Sequence, residues 1–78
     1  MAFNEANWIC VAAGTYKMEH GTFTFMKKEL HMNGTLWQIW QHDALQFSST
    51  RKHEFLSKAD FVLVHGFFIA DAGIPFRQ

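Results

Sequence analysis

Apolar and polar positions change their period several times along this chain, and each change marks an element. Trp8-Ile9-Cys10-Val11-Ala12-Ala13 is apolar without a break, and Thr15-Tyr16-Lys17-Met18 then loosely alternates. Residues 8–18 read as one strand whose first half, apolar on both faces, belongs in the middle of a sheet. Glu19-His20-Gly21 reads as a turn, with Gly21 able to take positive φ. Residues 22–32 make a second strand. Asn33-Gly34 behind it is a strong hairpin signal. Thr35–His42 is a third strand, and Ala44–Phe47 adds a short fourth. Ser48-Ser49-Thr50 offers N-cap hydroxyls to a short helix over 51–59, on which Phe55, Leu56 and Ala59 form one apolar side. Phe61-Val62-Leu63-Val64 is rich in strand formers and predicts a closing strand toward Ile69; Pro75 stops pairing in the tail.

A rival pattern runs through the same residues. Phe23, Met26 and Leu30 have helical spacing, as do Leu36, Ile39, Trp40 and Asp43, so Asn33-Gly34 also fits a helix C-cap in an all-helical bundle. The hairpin reading is preferred. The expected fold is therefore α+β: a single domain over 1–78, with a three- to four-stranded antiparallel meander, one short helix on one face and a closing strand.

Counting back from a two-residue turn at Asn33-Gly34 sets the register. Leu30 then faces Trp37, Lys28 faces Ile39, Lys27 faces Trp40 and Phe25 faces His42. The same count around His20-Gly21 puts Tyr16 opposite Phe25 and Met18 opposite Phe23. One face collects Met26, Leu30, Met32, Trp37 and Ile39; the other collects Tyr16, Met18, Phe23, Phe25, Leu36 and Trp40. A helix of about ten residues is ~15 Å long and ~10 Å wide. Four strands at ~4.8 Å spacing exceed that width, so one helix covers one face only. The second face needs the apolar tail (Phe67, Phe68, Ile69, Ile74, Phe76), a second copy, or a target, because large exposed apolar patches mark interaction sites. The expected partner-binding residues are Tyr16, Phe23, Phe25, Leu36 and Trp40, with Lys27 beside them.

Composition narrows the partner. Seven basic and seven acidic residues give a formal charge of zero, whereas a phosphate-gripping protein normally carries a basic excess. Aromatic residues make up 17% of the chain, and large aromatics supply much of the buried area in cores and interfaces. Cys10 is the lone cysteine, so no internal disulfide staples this small domain, and its apolar setting suits a buried thiol. That usage, with no basic flank ahead of the first apolar run and no stretch of ~20 apolar residues, points to a cytoplasmic protein without a membrane span.

Chemistry has little to work with. The histidines stand about eleven residues apart, and no CxxC pair or close histidine pair offers the spacing of a zinc site. Cys10 sits where thiolate formation is disfavoured, and His42-Asp43 are only sequence neighbours. No nucleophile elbow, phosphate loop or dinucleotide fingerprint occurs. The expectation is a protein with no enzymatic activity, cofactor or metal.

Gly34-Thr35-Leu36-Trp37, leading through Phe47-Ser48-Ser49-Thr50-Arg51-Lys52 into a helix, resembles small three-stranded DNA readers such as the arm-binding domains of phage integrases. The resemblance covers about twenty residues of common type and implies strands in the major groove with basic residues on phosphates. Glu19, Glu29 and Asp43 intrude on such a surface, and Lys27 and Lys28 point to opposite faces. In architecture alone the chain is similar to phage and mobile-element proteins that block host machinery, including anti-CRISPR proteins. The sequence therefore suggests first a protein-binding inhibitor, second a nucleic-acid-binding sheet, and third a homodimer or larger homo-oligomeric structural protein.

Overall fold

A computed structural model describes residues 2–32 and 34–69. Five antiparallel strands lie in one open sheet in sequence order: β1 (Ile9–Ala12), β2 (Thr15–His20), β3 (Phe23–Leu30), β4 (Gly34–Gln41) and β5 (Ala44–Ser49). One helix follows, α1 (Lys52–His65), and a single 3-10 turn (Glu5–Asn7) precedes β1. The α+β meander is as expected and the helical bundle is excluded. Three expectations need correcting.

The apolar run at the start is neither one strand with its successor nor central. Ala13-Gly14 breaks it, with Gly14 at φ +72°, and leaves β1 as an edge strand. All four β1 residues are exposed, Ile9 at 63% and Val11 at 50%, and the Cys10 thiol is exposed rather than buried.

The second correction is the helix. It runs on to His65 and absorbs Phe61–Val64, so no closing strand forms there. Phe55, Ala59 and Val62 are its buried residues, at spacings of four and three, and Leu56 and Leu63 pack beside them. That 3.6-residue stripe outweighs the strand preference of the two valines. Gly66, at φ +83°, ends the helix with its N–H donating to Val62 O at 2.7 Å. At the other end the N-cap is Arg51, without a side-chain cap, so none of the three expected hydroxyls caps the helix; just ahead of it Ser49 Oγ accepts from Arg51 N and donates to Glu54 Oε1.

The third is the register. The β2–β3 turn is Gly21-Thr22, which moves the pairing by two residues and leaves every side chain on its expected face: Tyr16 opposes Lys27, and Met18 opposes Phe25. Between β3 and β4 the shift is three. Leu30 pairs with Gly34, Lys27 with Trp37 and Phe25 with Ile39. Because strand side chains alternate, an odd shift carries the whole of β4 to the opposite face. This register gathers Met18, Phe23, Phe25, Ile39, Trp37 and Phe47 on one side.

That side is the core. Phe25, Ile39, Phe55, Ala59 and Val62 are completely buried. The helix packs chiefly over β4 and β5. The N-terminal segment helps to close the same side: Phe3 is buried and edge-on to Phe25 and Phe55, with ring centroids 5.4 and 5.3 Å away. Trp8 stacks on Phe55 at 6.1 Å. Such ring pairs add ~0.5–1.5 kcal/mol each beyond their burial. Beyond the helix, Phe68 reaches Phe47 and Phe67 reaches Phe61, so the first tail residues stay on the helix side. Ile74, Pro75 and Phe76 lie outside the described residues.

Candidate functional site

Two hydrogen bonds fix which way the central strands turn their backbones. Glu29 N donates to Gly14 O at 2.7 Å, and His42 N donates to Thr22 O at 3.0 Å. Side chains follow the pairing: Lys17, Met26, Gln38 and Ser48 form one row across the face away from the helix, and Thr24, Trp40 and Leu45 form the next. Lys28 and Leu36 make a third row. Among the described residues no element packs over this face.

Trp40 is the anchored group on it. Its indole Nε1 donates to Gln38 Oε1 at 3.2 Å, and Gln38 is only 8% exposed between Met26 and Ser48. A buried amide that spends its carbonyl on the indole holds the ring in one orientation. Beside the ring lies an open hollow of about 280 Å³, lined by Thr24, Met26, Trp40, His42 and Asp43. His42 stands at φ +54° in the β4–β5 turn, and both His42 and Asp43 line this hollow. Lys17 is paired to Glu19 at 3.3 Å on the same face.

A larger hollow of about 750 Å³ opens at the other edge, where β1 stops short of the end of β2; Asn7, Ile9, Glu19, His20 and Leu63 are among its lining. Its Lys17 and Glu19 already neutralise one another, and it holds no anchored ring.

Both sheet edges are bulged. Val11 is the extra residue between the Cys10 and Ala12 pairs, and Gln46 is the extra residue opposite the Ile39–Trp40 step. Bulges bend an edge and interrupt its row of free N–H and C=O groups, which discourages strand addition. The face is the better surface for contact.

The six residues expected to bind a partner do not share a side. Phe23 and Phe25 are core residues, buried beneath the helix and the N-terminal segment. Tyr16 and Lys27 are cross-strand neighbours on that same side, and Lys27 Nζ lies 4.5 Å from the Tyr16 ring centroid and 5.5 Å from that of Trp8. Leu36 and Trp40 are on the uncovered face. The cause is the three-residue register shift. Thr24 was missed because only the true register puts it opposite Trp40; Gln38, two residues away on the same strand, and Asp43, in the turn that follows, were legible from spacing alone.

Among the described residues no three His, Cys, Asp or Glu side chains converge as metal ligands, and no helix is long and apolar enough to cross a membrane. No known protein family, curated protein or solved structure matches the chain.

Proposed function

We propose that this protein works by binding another protein, without catalysis, through the sheet face that α1 leaves uncovered. The observation that carries this is Trp40: a large amphipathic ring, oriented by Gln38 and set beside Met26 and Leu45 on an open face. Tryptophans held in this way are the residues on which interface energy concentrates. An inhibitory role toward a host system is one form such binding takes. The test is capture from the native host with the parent chain and with Trp40→Ala. Capture should be lost while the variant still melts cooperatively; capture that survives Trp40→Ala removes the reading.

A second reading rests on Lys17 and Lys28, which share the face with Trp40. Basic groups around a stacking ring suit single-stranded nucleic acid. That binding weakens steeply as salt rises, and a flat salt response eliminates it.

A further inference from the structure

We propose that the hollow beside Trp40 receives a cationic side chain of the partner, an arginine above all. The proposal rests on the protein-binding reading and specifies what the face recognises. Three features of the hollow point to this chemistry. Its lining includes the apolar Met26 side chain and the Trp40 ring, which suit the methylene stem of a long basic side chain. The Trp40 indole lines the hollow, and an indole is the best of the aromatic rings for contact with a cation. Asp43, also in the lining, supplies the counter-charge.

The surrounding charges favour the same sign. Glu19 pairs with Lys17, so that cation is neutralised at 3.3 Å. Lys28 belongs to the row of Leu36, which lies four residues along β4 from Trp40, or ~13 Å at the usual strand rise. The Trp40 end of the face is therefore the acidic end. Trp40 itself has no free polar atom to offer, because Nε1 is committed to Gln38. What remains is the π surface, the Thr24 hydroxyl and the Asp43 carboxylate, with the His42 imidazole beside them in the turn. A planar guanidinium can stack on the ring and donate to Thr24 and Asp43, whereas an ammonium makes only a point contact.

The experiment uses the full isotope-labelled chain and reads the Trp40 indole N–H by NMR. N-acetyl-arginine amide should move that peak along a saturable curve. N-acetyl-citrulline amide, its neutral isostere, should bind about five-fold more weakly, as expected for losing one exposed cation–π contact. Asp43→Asn, at an exposed turn, should weaken the arginine response yet leave arginine ahead of citrulline, because the ring contact remains, and the other resonances should keep their positions. An equal response to both probes, an unsaturable response, or an Asp43→Asn chain that behaves as the parent overturns the proposal. It is equally overturned if a short oligothymidylate shifts the peak and arginine does not. These outcomes are separate from the broader reading, which is decided by capture with Trp40→Ala: capture lost there with no arginine preference sinks the hollow alone.

Discussion

Asp60, in the middle of α1, holds the start of the chain: its Oδ1 accepts the backbone N–H of Phe3 at 3.0 Å and also that of Ala2. These bonds fix the strand-like entry that inserts the Phe3 ring between helix and sheet. A charged acceptor makes such bonds worth ~1.5–3 kcal/mol each where they are shielded. This site is only partly buried, so Asp60→Ala should cost about 1–3 kcal/mol in urea unfolding, and Asp60→Asn less, since an amide oxygen still accepts. Phe3→Ala should cost ~3–5 kcal/mol, the usual range for deleting a buried phenylalanine. Equal stability of parent and Asp60→Ala would show that the N-terminal segment closes the core by burial alone.

The strands of the meander were legible because Gly21, Asn33-Gly34 and the Ala44–Phe47 run punctuate the apolar pattern at short intervals. Which side each strand presents was legible between β2 and β3 and illegible between β3 and β4. The difference is arithmetic: an error of two residues keeps the face, and an error of three inverts it. Asn33-Gly34 suggested a two-residue turn, yet Gly34, at φ +86°, is the first residue of β4 and already paired with Leu30. What decides the register is burial across the sheet. Ile39 and Trp37 join Phe25 beneath the helix, while Gln38 and Trp40 leave that side. No local signal near the turn encodes that choice. The length of α1 was misjudged for a related reason: Val62 and Val64 favour strands locally, but Val62 completes the stripe begun by Phe55 and Ala59.

The register itself makes a sharp prediction. Glu29 opposes Thr35, while a two-residue turn at Asn33-Gly34 would set it opposite Gln38. The pair is a non-bonded one by the alternation above, so its Cα atoms stand ~4.5 Å apart, within the range a disulfide spans. Glu29→Cys with Thr35→Cys, in a Cys10→Ala background, should oxidise in air to an intramolecular disulfide visible as a mobility change on reduction. With the alternative register the two thiols would be three residues out of step and would stay free.

Lys27 separates structural from contact roles. Its ammonium lies near the rings of Tyr16 and Trp8 on the helix side, so its charge serves the fold. Replacing it with Met keeps the stem and removes the cation, and should cost ~0.5–1 kcal/mol. Capture of a partner should be unchanged in Lys27→Met and lost in Trp40→Ala. Loss in both variants, with both folded, would move the contact surface to the helix side.

The bulges predict how this sheet stays finite. β5 carries no charge and no proline, the usual guards of an exposed edge, and Leu45 is 47% exposed along it. Its protection is Gln46, the residue without a partner between the Ile39–Phe47 and Trp40–Leu45 pairs. Deleting Gln46 leaves every one of those pairs available while straightening the edge into a regular ladder. A regular, uncharged edge is a template for another strand. The deletion should therefore leave monomer unfolding within ~1 kcal/mol of the parent and raise self-association, seen as a molar mass that climbs with concentration in light scattering. A deletion variant with the same mass profile as the parent would mean that something other than the bulge guards this edge.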